Sequence, residues 1–320
     1  MAGKKKEAVR VGRRTVELSN LDKVLFPRAR ITKGQLVAYY HEVATFMLPY
    51  LVDRPVSMQR YPEGIDKEGF YQKSIGEYFP DWVDRVKVKK EGGTVTHVVC
   101  QDAATLVYLA NQACITPHVW LSRKDKLHHP DRLIFDLDPP GDDFAVVRST
   151  ARALRETLEE LGLASTVMTT GGRGLHVVVP LDRSAKFDDM RAFARDLAEL
   201  LARRDPKRLT TEARKNKRRG RLFLDTMRNA YAQTAVPPFA VRAREGAPVA
   251  MPLDWDELGG RLRGSTFHLK NALRRIEKAG DPWRGMARRA RGLAGPRKKL
   301  DRLLKEERPA GERPTKAKRR

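Results

Sequence analysis

The stretch from Leu133 to Pro140, L-I-F-D-L-D-P-P, constrains the chain more than any other. Leu133, Ile134 and Phe135 suit a buried strand. Pro139-Pro140 must end it, because proline has no N–H to give to a ladder. Side chains alternate along a strand, so Asp136 and Asp138 share a face while Leu137 points to the other. Two carboxylates on one face at the end of a buried strand repel each other unless a cation lies between them. Taken alone, a D-x-D fits a pair of solvated acids as well as it fits a metal site, so the rest of the chain has to decide.

Composition narrows the partners. The 320 residues suffice for a substantial core, as one large domain or two lobes. With 64 Lys+Arg against 40 Asp+Glu, the formal net charge is +24, which favours a polyanion, nucleic acid by default. Cys100 and Cys114 are the only cysteines, so neither a disulfide framework nor a four-ligand zinc site is available, in keeping with a reducing cytosol. Met1 to Arg10 is basic with no apolar segment behind it, and no long apolar run follows. The expectation is a cytoplasmic protein, at the nucleoid when bound to DNA, with no membrane partner.

In chain order, residues 1–14 read as a basic flexible arm. Thr32 and Gln35 have capping-box spacing, and Leu36, Tyr39, Tyr40, Val43, Phe46 and Met47 carry a helical apolar face to Pro49. Val56 to Tyr61 and Gly69 to Lys73 read as strands, and Val86 to Val99 as a hairpin about Gly92-Gly93. A helix from Asp102 to Ala113 precedes the central strand, and another carries Ala151, Leu154, Leu158 and Leu161 up to Gly162. Ser165 to Thr169 and Leu175 to Val179 are strands about a glycine-rich turn, followed by a helix on Met190, Phe193, Leu197, Leu200 and Leu201. The basic run Arg214 to Arg219 leads into the strand Arg221 to Asp225. From residue 287 to 320 Arg, Lys, Gly and Pro dominate, and the expectation is a disordered basic tail with at most a short helix around Leu300, Leu303 and Leu304.

Two further features bear on the paired acids. Thr170-Gly171-Gly172-Arg173-Gly174-Leu175-His176 joins two strands. Glycines let successive N–H groups converge on an anion, and Arg173 adds charge. It is neither a Walker loop nor a dinucleotide fingerprint, since a strand follows it; alone it could be a hairpin tip with an incidental histidine. Asp225 ends an apolar strand just beyond a cluster of positive charge. Carboxylates for cations, with basic groups for phosphates, are what a metal–triphosphate site needs, and hard oxygen donors point to Mg2+ or Mn2+.

Together, Phe135-Asp136-Leu137-Asp138-Pro139, Thr170 to His176 and Leu224-Asp225-x-x-Arg228-Asn229 resemble the three motifs of the archaeo-eukaryotic primase superfamily, and within it the polymerase domain of the bacterial end-joining ligase D. The resemblance covers Val16 to Met286 and extends to Pro248–Leu258 and Gly280–Trp283. It implies an α+β primase-type core in which two sheets face a cleft, with an amino-terminal DNA-binding part at about 15–130 and a catalytic part at about 131–286. It also implies nucleotidyl transfer from ribo- or deoxyribonucleoside triphosphates to a primer 3′-hydroxyl, with two ions, Mn2+ or Mg2+, on Asp136, Asp138 and Asp225. By the same resemblance Thr170, Arg173 and His176 contact the incoming phosphates with Lys215, Arg218 and Arg242, while His118 sits near the sugar. Asn20, Lys23 and Lys33 match a pocket for a downstream 5′-phosphate, Phe70 and Tyr71 an aromatic pair for template bases, and Arg60 falls among the DNA contacts. Thr170 stands where the family usually has serine and Tyr71 where phenylalanine is common; the hydroxyl and the ring are kept.

A two-metal nuclease would share the acids but needs no triphosphate cradle. An aspartyl phosphatase would not need so basic a surface, and a non-catalytic DNA-binding module explains the charge alone. DNA with gapped, recessed or broken ends and a 5′-phosphate is the expected partner, in end joining or in gap filling during excision repair. The chain has no K-x-D-G for adenylation, so an end-joining polymerase of this kind would need a separate ATP-dependent DNA ligase, and the resemblance implies an end-binding Ku-type protein as a further partner.

Overall fold

The computed structural model describes residues 6–307. The chain begins with an antiparallel hairpin, Lys6–Val11 against Arg14–Ser19, turning at Gly12 with φ +60°. The expected flexible arm is therefore corrected from residue 6 onward, and residues 1–5 lie outside the described residues. Alternation explains the hairpin: Val11, Val16 and Leu18 are buried while Arg10 and Glu17 are exposed.

A short pairing of Val24–Phe26 with Ile31–Thr32 delivers the chain to helix α1, Lys33–Leu51. The capping box forms as its spacing predicts. Gln35 N–H donates to Thr32 Oγ1 at 3.3 Å, and Thr32 N–H donates to Gln35 Oε1 at 2.9 Å. The helix runs through Pro49 instead of ending there. Proline falls in the last turn, and burial of Tyr50 and Leu51 holds that turn in place.

Two six-stranded sheets follow. The first runs Thr234–Ala235, Cys114–Trp120, Pro55–Arg60, Gly93–Val99, Arg85–Lys90, with Phe70–Gln72 also paired to Pro55–Arg60. Helix α2, Ala103–Asn111, is capped by Asp102, whose side chain accepts from the Thr105 N–H. The second sheet runs Leu209–Thr210, Leu222–Asp225, Arg132–Asp138, Leu175–Pro180, Thr166–Thr169, Pro252–Leu253. Helices α3, Phe144–Glu160, and α4, Phe187–Arg204, pack on its central strand, where Leu133, Phe135 and Leu137 are fully buried. The two parts of the chain interlock, because Thr234–Ala235 returns from the catalytic part to extend the first sheet.

Helix α5, Leu269–Ala279, packs on α1. The expected disordered tail is corrected next: α6, Ala294–Glu306, lies on α4 with Leu300 and Leu303 buried. Ion pairs add to that burial. Arg297 pairs with Asp196 of α4 at 2.7 Å, and Arg204 of α4 pairs with Glu307 at 2.6 Å, so charge that reads as solvated in the sequence ties two helices together. Residues 308–320 of the expected tail lie outside the described residues.

Candidate active site

Ladder register builds the site. Asp136 pairs across the sheet with Asp225 on one neighbouring strand and with His176 on the other, and Asp138 lies two residues further along the same face. Directly opposed residues hold their Cβ atoms about 5 Å apart, and like charges so placed are destabilising. That cost shows in Asp225. Burial, then repulsion from Asp136 and Asp138, raises Asp225 above the ordinary carboxylate value. Burial would raise Asp136 as well, but His176, Arg228 and Arg242 outweigh it and hold that carboxyl low; His176 Nε2 lies 3.5 Å from Asp136 Oδ2.

The glycine-rich turn sits on the end of this strand. Thr170 N–H and Oγ1 both donate to the Gly174 carbonyl, at 3.3 and 3.1 Å, and close the turn. A Cβ on Gly174 would collide with the Leu137 carbonyl oxygen, and Gly171 adopts φ +63° with Arg242 against it. Only glycine allows that approach. Thr170 thus spends its hydroxyl proton inside the turn, while its carbonyl accepts from Arg242 Nη1 at 2.7 Å. Arg173 is exposed at the tip.

Between the two sheets lies a cavity of about 300 Å3. Asp136, Asp138, Asp225, Thr170, Arg173, His176, His118, Lys215 and Arg242 all line it, so most of the expected catalytic and nucleotide-binding set comes together there. Arg218 stands beside it, donating from Nη1 to Asp138 Oδ2 at 2.8 Å and lying over the Phe223 ring. His118 reaches the cavity from the first sheet. Burial, then Arg242, Arg228 and His176, push it down to about 3, so its imidazole is neutral, with Nε2 3.4 Å from Gln59 Oε1.

Two arginines of the cavity have no role assigned from the sequence: Arg228, which appears there only as part of a motif, and Arg244. Arg228 is placed by its neighbour. Asn229 is fully buried, accepts from the Ile134 N–H at 2.9 Å and donates to the Ile134 carbonyl at 2.7 Å, which extends the ladder and fixes the turn after Asp225. The R-N dipeptide after an acid was the available signal. Arg244 follows Arg242 on a segment clipped to the first sheet and α1: Thr116 Oγ1 donates to the Val241 carbonyl at 2.6 Å, and the Val241 N–H donates to Tyr40 Oη at 3.0 Å. No local pattern announces it.

The three acids are all hard oxygen donors, and the raised Asp225 marks a negative charge that a cation would relieve, so the residues fit divalent metal ions. Among the described residues no three His, Cys, Asp or Glu side chains already form a metal cage; Asp138 is held by Arg218.

Of the expected DNA contacts, Lys33 and Arg60 meet at the C-terminal end of α2. Lys33 Nζ donates to the Asn111 carbonyl at 3.0 Å, and Arg60 Nε donates to the Gln112 carbonyl at 2.8 Å. Both use the orphan carbonyls of a helix end, where cations are favoured. Lys23 and Lys33 flank the small β-pairing, with the Lys33 N–H donating to the Lys23 carbonyl at 2.7 Å. Burial, then Lys23, push Lys33 down to about 8. Lys23 Nζ also meets Glu63 at 2.6 Å, and Asn20 is exposed in a left-handed turn with φ +51°. Tyr71 lies 5.6 Å from His118 and Phe70 lies 5.5 Å from the Arg60 guanidinium.

Carboxylates on neighbouring strands, opposed to a glycine-rich anion turn and ringed by arginine, define a nucleotidyltransferase of the archaeo-eukaryotic primase type. The chain belongs to the LigD primase-polymerase domain family, which matches residues 32–283. It is 33% identical over 270 residues to the bifunctional non-homologous end joining protein LigD of Bacillus subtilis, covering 84% of this chain and 43% of that protein. It is 33% identical to the multifunctional LigD of Mycolicibacterium smegmatis, covering 83% of this chain and 35% of the relative, so it spans less than half of either. The polymerase domain of Mycobacterium tuberculosis ligase D, solved in complex with DNA, superposes with a TM-score of 0.81 at 32% identity, covering 86% of this chain and 99% of that one. Among the described residues no helix is long and apolar enough to cross a membrane.

Proposed function

We propose that this chain is a template-dependent polymerase that adds ribo- or deoxyribonucleotides to a primer 3′-hydroxyl at gaps and broken ends, in non-homologous end joining. The observation that carries this reading is the register that sets Asp136 between Asp225 and His176, beneath a glycine-rich turn. A nuclease needs the acids but leaves that turn and its arginines without a role. Asp136, Asp138 and Asp225 would hold two divalent cations, Mn2+ or Mg2+, which when bound acidify the 3′-hydroxyl and stabilise the departing pyrophosphate. Arg173, Lys215, Arg242 and Arg244 supply positive charge to the triphosphate, and neutral His118 offers a ring nitrogen to a sugar hydroxyl.

The α2 end supplies the DNA contacts. Two amines close enough for Lys23 to add to the depression of Lys33, at the N-terminus of α1, suit a dianionic terminal phosphate better than an internal one. Sealing falls to an ATP-dependent DNA ligase and end capture to a Ku-type protein. The test is extension of gapped DNA carrying a 5′-phosphate or a 5′-hydroxyl, with ribo- and deoxyribonucleotides, in Mn2+ and in Mg2+. Template-directed addition, stronger with the 5′-phosphate, is expected. Degradation of the primer instead would return the acids to a nuclease.

A further inference from the structure

Among the described residues, the exposed large hydrophobic side chains are five, and three of them lie on one strip: Phe70, Tyr71 and Tyr78, at 46%, 56% and 58% exposure. The short strand Phe70–Gln72 explains how the strip is laid out. Phe70 pairs with Arg60 and Tyr71 with Gln59, so the two rings leave the sheet on opposite faces at its edge. Tyr71 faces the cleft, over His118, while Phe70 goes to the α2 side with Arg60. Arg60 then carries the strip onward, because its Nη1 donates to the Tyr78 hydroxyl at 2.6 Å. Its Nε donates to the Gln112 carbonyl, next to the Asn111 carbonyl that takes Lys33.

Tyr78 is braced as well as exposed. Its ring lies 5.0 Å from that of buried Phe79, which in turn packs on Tyr108 at 5.2 Å. Gly76 leaves the ring its space, since a Cβ there would collide with it. A row of exposed rings held in place beside a cation offers a ready surface for a flat partner. Exposed aromatics interleaved with arginine and lysine, continuous with a catalytic cleft, match what unpaired bases on a phosphate backbone require.

We infer that Tyr78 is a third stacking position for unpaired template bases, taking single-stranded nucleic acid from the Tyr71–Phe70 edge toward Lys33. The inference rests on the polymerase reading above. It predicts a dependence on the length of unpaired template. A one-nucleotide gap leaves no base free for Tyr78, whereas a four-nucleotide gap does.

The experiment measures affinity for 5′-phosphorylated gaps of one and four nucleotides at one salt concentration, with wild type, Tyr78→Ala and Tyr78→Phe. Template 2-aminopurine placed at each gap position reports stacking as quenching. Tyr78→Ala should weaken the four-nucleotide gap by about 5- to 30-fold and the one-nucleotide gap less than about twofold. It should also relieve quenching at one interior position, while Tyr78→Phe, which keeps the ring, stays near wild type. Equal loss on both gaps, no loss, or a Tyr78→Phe defect as large as that of Tyr78→Ala would overturn the inference; the last would reduce Tyr78 to a support for Arg60. A wild type that ignores gaps altogether would sink the polymerase reading itself, whereas a normal wild type with an indifferent Tyr78→Ala removes the third position alone.

Discussion

The catalytic face and the α2 end are both charged, but they are built by opposite means. On the second sheet, ladder register forces like charges together: Asp136 opposite Asp225, with Asp138 beyond. At the α2 end, cations are drawn to groups that already satisfy them, Lys33 to the Asn111 carbonyl, Arg60 to that of Gln112 and Lys23 to Glu63. On the first face His176 and Arg218 offset Asp136 and Asp138 while Asp225 keeps a repulsion that a cation would relieve; on the second, DNA must compete with partners the cations already have. Substitutions should therefore act steeply on the first face and gently on the second.

The largest effect tests the steep side. Asp136→Ala, Asp138→Ala and Asp225→Ala should each cut nucleotide addition by at least about 10^3-fold, since metal-assisted transfer depends on all three acids. DNA affinity should stay within about twofold, because basic groups hold the polymer. Near-normal extension by any one variant would take that acid out of the site.

Next comes the brace behind that face. Asn229→Ala leaves the buried Ile134 N–H and carbonyl without their side-chain partner, at a cost of about 2–4 kcal/mol, read from urea unfolding. A loss below 1 kcal/mol, on the order of a single net hydrogen bond, would show that water replaces the amide.

Arg173→Ala and His176→Ala sharpen the contrast within the cleft. Each should raise the nucleotide KM by an amount equivalent to about 1.5–3 kcal/mol, the worth of a charge-assisted contact. A stably folded His176→Ala protein with unchanged nucleotide affinity would make this histidine a core residue.

On the gentle side, the Lys23→Ala/Lys33→Ala double variant should lose roughly fivefold in preference for a 5′-phosphate over a 5′-hydroxyl, while general, salt-sensitive binding persists. Equal wild-type affinity for both ends would remove the pocket. The smallest effect is a pH dependence. Lys33, depressed to about 8, is charged below that value and neutral above it, so the preference should be present at pH 7 and fade toward pH 9. Stability runs the other way. The unfolded chain keeps the Lys33 proton up to its ordinary 10.5, so this residue's contribution rises with pH between about 8 and 10.5. Binding competition across that range reads the first effect, and unfolding midpoints the second.

The sequence by itself determined the chemistry of the catalytic face. Alternation along a strand is local, so Asp136 and Asp138 had to share a side, and the prolines had to end the strand. The tertiary structure alone decided the register that sets Asp225 and His176 on either side of Asp136, because partners in a ladder come from distant segments and no local pattern selects them. It also decided that Arg244 enters the cleft on a segment clipped by Tyr40 and Thr116, and that Lys33 and Arg60 meet on one helix end. The basic ends show the same limit. Residues 6–14 read as a solvated arm and 294–306 as a basic tail with at most a short helix on Leu300, Leu303 and Leu304 until the hairpin and α4 provide apolar surface and acids to pair with, and a charge run carries no record of a partner so far away in the chain.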